Sequence, residues 1–260
     1  QMCIRDRMWL DRAAGHITFN NFAMDNSGRI DRVSLDGTTH EMLDFTDHNH
    51  DFVVLPDGDF AAIATIRKGV EGDIVAGDGI YRADMEGTTE ILWSAWDHFE
   101  YTGRTENTPD TLGGWTHANA IDHDPEGDAF YLSLRSFDAI LKITESTGDI
   151  EWILSGDEAL SDFTFAEGSA PTSHQHQFEM VSEDRLLSFD NRYDLHEPAR
   201  VVEYALDFDT MTAEEVWSYS HDPALSVYAL GDVSRLDDGS TFIDWSTSGV
   251  LQLLSPEGEE

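Results

Sequence analysis

The chain has 260 residues, 40% hydrophobic and 11% aromatic, enough to bury a sizeable core in one all-β domain or two smaller ones. Its 52 acidic residues against 15 basic ones give a net charge of −37, a surface that repels nucleic acid and anionic lipid and suggests a salty or marine environment. The single cysteine, Cys3, excludes an intramolecular disulfide, and no apolar run approaches the roughly 20 residues of a membrane span. We therefore expect neither a nucleic-acid partner nor membrane insertion.

Residues 1–7 do not fit the pattern that follows, and they resemble the adapter-derived lead of a translated sequence read. From Met8 onward the chain consists of short β-rich runs separated by Gly/Asp turns, which is the hairpin signal. These runs come in sets of four, so each set predicts a four-stranded antiparallel meander. The five sets cover residues 8–45, 50–94, 117–154, 176–219 and 232–254.

Repeated four-stranded units predict a β-propeller of residues 8–260 rather than the competing β-sandwich. Trp93, Trp152 and Trp217 each fall in the fourth strand of their unit, a position typical of packing between blades. The first unit begins inside its first strand and the fifth lacks its fourth. The sequence therefore predicts about five blades, incomplete at both ends, from a larger propeller.

Three longer connections interrupt the meanders, at residues 68–78, 97–114 and 156–173. Connections of this length are usually functional or mobile. The last two lead directly into strands that start with histidine, which draws attention to those strand starts.

Three successive units present a histidine at the predicted start of the first strand and an arginine at the predicted end of the second. A tight hairpin brings these two positions side by side. Six such residues at one rim of an otherwise polyanionic protein predict a site for an anion. The pairs are His50 with Arg67, His117 with Arg135, and His176 with Arg192.

Other interpretations of these residues stay open. A single histidine at a strand start is more often structural than catalytic, and an arginine after a strand is most often in a surface ion pair. Three imidazoles around one axis could instead ligate zinc. A non-catalytic binding or scaffold propeller would need no reactive group at all.

Short motifs in the third to fifth units resemble those of the arylsulfotransferase (aryl-sulfate sulfotransferase) family. The third unit has WTHAN at 115–119, LSLR at 132–135 and TGDIEW at 147–152. The fourth has LLSFDN at 186–191 and ARVVEY at 199–204, and the fifth has GDVSRL at 231–236. The similarity covers roughly residues 40–255, although the family's cysteine pair is absent.

The resemblance implies a six-bladed propeller that moves a sulfuryl group from an aryl sulfate ester to a phenol, with no nucleotide sulfate donor and no other cofactor. It implies a periplasmic or extracellular location. His176 would be the nucleophile that is transiently sulfated, with His174, two residues away, as the alternative. His117 and Arg135 would hold the sulfuryl oxygens, and His50 would be a further active-site histidine. The predicted substrate-binding residues are Asn119, Arg67 and Arg192.

Overall fold

The computed structural model describes residues 8–11, 14–21, 27–101 and 115–259, and the predicted lead at residues 1–7 lies outside this part of the chain. The first sheet contains β1 (Met8–Asp11), β2 (His16–Asn21), β3 (Ser27–Ser34) and β4 (His40–Thr46) in that order. The second contains β5 (His48–Val54), β6 (Phe60–Val70), β7 (Asp73–Ala83) and β8 (Thr89–Ser94), and the short helix α1 (Ala95–His98) follows it.

The remaining sheets follow the same plan. The third contains β9 (Ala118–Asp124), β10 (Ala129–Leu134), β11 (Ala139–Thr144) and β12 (Ile150–Ser155). The fourth contains β13 (Thr164–Phe165), β14 (Phe178–Ser182), β15 (Arg185–Asp190), β16 (Arg200–Asp207) and β17 (Thr212–Tyr219), and the fifth β18 (Asp232–Arg235), β19 (Thr241–Asp244) and β20 (Leu251–Leu254). Turns of 3-10 helix cover Arg135–Phe137, Tyr193–Leu195 and Ser246–Ser248.

Apart from β13, consecutive strands within each sheet pair antiparallel in chain order, which is the blade architecture of a β-propeller. The predicted fold class is confirmed: the protein is an all-β propeller of four-stranded blades. The last sheet has three strands among the described residues. Trp93, Trp152 and Trp217 lie in β8, β12 and β17, the fourth meander strands of their blades, as predicted.

One predicted connection is wrong. Residues 68–78 form no loop, because β6 and β7 pair without interruption from Phe60–Ala83 to Val70–Asp73. Glu71 and Gly72 make the two-residue turn, with φ of 52° and 99°, the pattern of a type I′ hairpin. The tip of this hairpin is exposed, so its polar and glycine-rich sequence reflects solvent contact rather than a break in the strands.

The other two predicted connections have different outcomes. The segment 156–173 contains β13, which pairs in parallel with β17 and adds a strand to the edge of the fourth sheet. Within the segment, the buried Phe163 ring packs edge-on against Trp152, with centroids 5.7 Å apart. In the segment 97–114, α1 ends at His98, and residues 102–114 lie outside the described part.

The described residues divide into two compact units, one up to Phe130 with Thr144–Asp149, and the other of Tyr131–Ile143 with the residues from Ile150 onward. Each unit has its own apolar core. In the first, buried side chains of the first and second sheets pack together, among them Ile30, Leu43, Phe45, Phe52 and Phe60. In the second, the fourth and fifth sheets contribute Leu187, Phe189, Val201, Val233, Ile243 and Trp245.

Candidate active site

Three histidines near the starts of the first blade strands share an unusual backbone conformation. His50, His117 and His174 have φ of 50°, 48° and 53°, in the left-handed region that residues other than glycine rarely occupy. This conformation costs roughly 1–2 kcal/mol at each residue, so surrounding contacts must hold it. The sequence matched His176 to His50 and His117, but the residue with the matching backbone conformation is His174.

Strand pairing gives a second comparison. Phe52 and Phe178 pair with the second strand of their own blades, and His50 and His176 each stand two residues before them. A bulge just before Phe52 interrupts the pairing of its strand. By position along the strand the equivalent of His50 is therefore His176, whereas by backbone conformation it is His174. Both His174 and His176 are buried just before β14.

The first unit brings two of the predicted site residues together. The imidazole rings of His50 and His117 have centroids 5.1 Å apart and are tilted by 33°. Asn119, two residues beyond His117 in β9, is buried with 3% of its surface exposed. Imidazole is a common donor, acceptor and proton carrier, so two rings this close are candidates for binding a polar group or moving a proton.

A buried carboxylate, Asp78 on β7, binds the residues on either side of His117, Thr116 through its side chain and Ala118 through its backbone. Its Oδ2 accepts hydrogen bonds from the Thr116 hydroxyl at 2.6 Å and from the Ala118 amide at 2.8 Å. Its Oδ1 lies 3.4 Å from the side-chain nitrogen of Asn49, at the border of hydrogen-bonding distance. Burial raises the pKa of Asp78, while the hydrogen bonds from Thr116 and Ala118 oppose that rise.

In the second unit, His176 contacts a buried amide. Its Nδ1 lies 2.7 Å from Oδ1 of Asn191, the residue that follows β15. The amide nitrogen of Asn191 donates to the carbonyls of Val227 and Leu230 at 3.0 and 2.9 Å. The backbone amide of His176 donates to the Phe189 carbonyl at 3.0 Å, which aligns it with β15.

Carboxylates also surround His174. Its backbone amide donates to Oδ1 of Asp138 at 2.6 Å, and its Nδ1 lies 3.2 Å from the Asp194 carboxylate, an ion-pair distance without the alignment of a hydrogen bond. The preceding amide, of Ser173, donates to Asp190 at 2.9 Å. A left-handed histidine is therefore held by a carboxylate in this unit as in the first.

Asp190, the last residue of β15, is a buried carboxylate in this unit. Its carboxylate accepts from Nε of Arg200 at 2.8 Å and from the Ser173 amide. Burial raises the pKa of Asp190 to about 6, and the Ser173 amide and the Arg200 guanidinium oppose the rise. Arg200 is fixed in turn by Glu215 at 2.8 Å, so this polar group is extensively bonded.

The three predicted arginines do not occupy equivalent positions. Arg67 lies inside β6 rather than at its end and pairs with Asp47 at 2.5 Å. Arg135 directly follows β10 and begins a 3-10 turn. Arg192 lies two residues after β15 and pairs with Glu197. The matched register of the arginines that the sequence predicted is therefore wrong.

Comparison with known families bears on these residues. The family model for Arylsulfotransferase (ASST) matches residues 13–259, nearly the whole chain. The chain belongs to the arylsulfotransferase (ASST) family. This confirms the resemblance that the motifs of the third to fifth blades indicated. No curated protein matches the sequence.

Solved structures share the fold of this chain at low sequence identity. A luciferin-regenerating enzyme has a TM-score of 0.62 and 9% identity, covering 99% of this chain and 74% of its own. A protein of unknown function from Bacteroides caccae has a TM-score of 0.57 and 13% identity, and the match covers 100% of this chain and 80% of that protein. An auxiliary nutrient binding protein from Bacteroides ovatus has a TM-score of 0.57 and 11% identity, and the match covers 97% of this chain and 55% of that protein. Similarity at this level shows the fold alone.

Two further findings bear on the metal hypothesis and on membrane insertion. Within residues 8–11, 14–21, 27–101 and 115–259, no group of three or more His, Cys, Asp or Glu side chains could hold a metal ion. The zinc hypothesis therefore has no ligand set in that part of the chain. Of the helices described, none has the length and apolar character to cross a membrane.

Sequence reasoning missed the residues that support the histidines. Asp78 lay in a predicted connection, and Asp138 lay in the turn between two predicted strands. Asn191 belonged to the motif at 186–191 and had no predicted role of its own. One feature of the sequence could have indicated them. The polar pair Asp190-Asn191 stands directly after the apolar residues of β15, where buried polar side chains are unusual.

Proposed function

We propose that this chain is an aryl-sulfate sulfotransferase that works through a sulfo-histidine intermediate on His176. Membership in the arylsulfotransferase family indicates aryl sulfotransferase activity and small aryl substrates. The mechanism and the residue roles are our proposal. The observation that carries it is the family match, which spans every blade bearing the three predicted histidines.

In the first step, Nε2 of neutral His176 attacks the sulfur of an aryl sulfate. The N–S bond forms, the S–O bond to the aryl group breaks, and the phenolate leaves with the bonding electrons. We assign to His117 and Arg135 the binding of the non-bridging sulfuryl oxygens. Fixed cationic donors lower the barrier because they face the charge that develops in the transition state.

In the second step, the oxygen of an acceptor phenol attacks the same sulfur, and the N–S bond breaks. The acceptor must lose its proton, and the departing phenolate of the first step must gain one. We assign this proton transfer to His50, since an imidazole can give and take a proton near neutral pH. The net reaction exchanges one aryl group for another on the sulfate, with His176 restored.

We also propose that Asn119, Arg67 and Arg192 bind the substrate. Asn119 is buried two residues after His117, in the WTHAN motif of the family. Arg67 and Arg192 have carboxylate partners in Asp47 and Glu197. For either arginine to bind sulfate, it would have to exchange that partner for the substrate.

The experiment is steady-state kinetics of the purified protein with 4-nitrophenyl sulfate as donor and phenol as acceptor. The proposal predicts parallel lines in double-reciprocal plots, the pattern of a two-step ping-pong reaction. Absence of transfer to phenol from a folded protein would contradict it, as would an intersecting pattern.

Variants assign the roles. His176→Ala should abolish transfer, and Arg135→Ala should lower kcat by about 10²- to 10³-fold, as loss of a transition-state donor does. His98→Gln, at an exposed histidine stacked on Trp93, is the matched control and should keep wild-type kinetics. If His174→Ala abolishes transfer while His176→Ala retains it, the nucleophile is His174.

A further inference from the structure

The imidazole of His176 is held by an amide whose own orientation is fixed. His176 and Asn191 are both buried, with 5% and 0% of their surface exposed. Asn191 directs its side-chain nitrogen to two backbone carbonyls, those of Val227 and Leu230. A carbonyl accepts only, and the amide nitrogen is the only donor in the side chain, so the amide cannot be turned around. Its oxygen must therefore face Nδ1 of His176.

We infer that Asn191 is a positioning residue that fixes the tautomer of His176. An amide oxygen only accepts hydrogen bonds, so at the 2.7 Å contact Nδ1 must be the donor and must carry the ring proton. In the neutral ring the lone pair then lies on Nε2. The inference rests on the proposed function, in which Nε2 is the atom that attacks sulfur.

A neutral partner at Nδ1 also suits the second step. When Nε2 takes the sulfuryl group, the ring becomes an N-sulfo-imidazolium that keeps its proton on Nδ1. Asn191 accepts that hydrogen bond without removing the proton, so the ring leaves as neutral imidazole when the acceptor phenol attacks. A carboxylate at the same place would stabilise the cationic ring more strongly and slow this departure, because charge-assisted hydrogen bonds are about twice as strong as neutral ones.

Two substitutions separate these effects. Asn191→Leu removes the acceptor at Nδ1, so the ring can place its proton on Nε2, and sulfation of His176 should slow by about 10- to 100-fold, the range found for residues that orient a metal-binding histidine. Asn191→Asp keeps an acceptor at Nδ1. It should sulfate faster than Asn191→Leu and should slow desulfation relative to sulfation.

The direct test is nitrogen NMR of the full chain with ¹⁵N-labelled histidine, recorded above the titration range of His176 without any substrate. A His176→Gln spectrum assigns the signals by their disappearance. The inference predicts a protonated Nδ1 and an unprotonated Nε2 in the wild type and in Asn191→Asp, and loss of this preference in Asn191→Leu. Gln175→Leu removes a neighbouring buried amide, which bonds Ser133 and Ala139, and should leave the His176 tautomer unchanged.

A wild-type ring protonated on Nε2 would overturn the inference whatever the kinetics show, and this measurement does not require Asn191→Leu to fold. An unchanged tautomer in a folded Asn191→Leu would overturn it as well. The predicted tautomer in a protein that never becomes sulfated on His176 would support the role of Asn191 and contradict the proposed function. The two hypotheses therefore fail separately.

Discussion

At the scale of single residues, buried polar groups hold the histidines in place. His117 stands in a left-handed conformation, and Asp78 binds the residue on each side of it. His174 is in the same conformation and is bound through its amide by Asp138. Because such a conformation is disfavoured for any residue with a Cβ, the carboxylates have to offset its cost.

Asp78→Asn should therefore destabilise the protein. The amide oxygen can take the place of Oδ2 and accept from Thr116 and Ala118, but these bonds lose their charge assistance, and the amide nitrogen then faces the side-chain nitrogen of Asn49, another donor. We expect a loss of about 1–3 kcal/mol in the free energy of unfolding, measured by urea denaturation. Asp73→Asn, at the exposed start of the same strand, is the control. Equal stability of the two variants would contradict the role given to Asp78.

A second residue, His48, makes stability depend on pH. Its ring is fully buried, its Nδ1 donates to the Ile63 carbonyl at 3.0 Å, and burial lowers the pKa of His48 to about 4. Between that value and the ordinary pKa of about 6.5, the unfolded chain binds more protons than the folded chain. This contribution to stability is therefore present above pH 6.5 and is lost as the pH falls towards 4, by roughly 3 kcal/mol in total.

The check is urea unfolding of the wild type and His48→Gln between pH 4 and 7. Glutamine can donate to the Ile63 carbonyl but does not titrate, so the pH dependence of its unfolding free energy should be shallower. His98→Gln, at an exposed position, should keep the wild-type slope. A His48→Gln slope equal to that of the wild type would show that His48 is not the group responsible.

At the scale of elements, the period of the strands predicted the blades well, because each blade is a local meander whose turns are visible in the sequence. The tryptophans of β8, β12 and β17 fell where predicted. The β6–β7 hairpin was missed because its exposed tip has the composition of a loop. The equivalence of His174 was missed because a left-handed backbone leaves no mark in a sequence of ordinary residues.

Gly231 illustrates how an element is fitted to its neighbour. It has a φ of 114°, and an added Cβ would lie 2.3 Å from the ring of Phe189 in the core of the second unit. Gly231→Ala should cost about 1–3 kcal/mol from overpacking in addition to the backbone strain. Gly249, with a φ of 67° and open space around the added Cβ, is the matched control. In thermal unfolding, Gly249→Ala should have a higher Tm than Gly231→Ala. An equal loss of Tm in the two variants would exclude the steric effect at Gly231.

At the scale of the whole molecule, the net charge of −37 governs stability through self-repulsion. Added salt screens this repulsion, so raising NaCl from low to molar concentration should raise Tm. For a chain of this size, each 1 kcal/mol gained corresponds to about 2–4 °C. Differential scanning calorimetry provides the measurement, with KCl as the control for ion identity. A Tm that falls as salt is added would contradict the expectation.

The central claim is that His176 carries the sulfuryl group between donor and acceptor. Mass spectrometry of the intact protein and its peptides, after brief exposure to 4-nitrophenyl sulfate without acceptor and at a pH that preserves the N–S bond, tests it directly. We predict the mass of one sulfuryl group on the peptide bearing His176, lost again when phenol is added. A label that stays on His174, His117 or His50 instead, or no label in a protein that turns over substrate, would contradict the account.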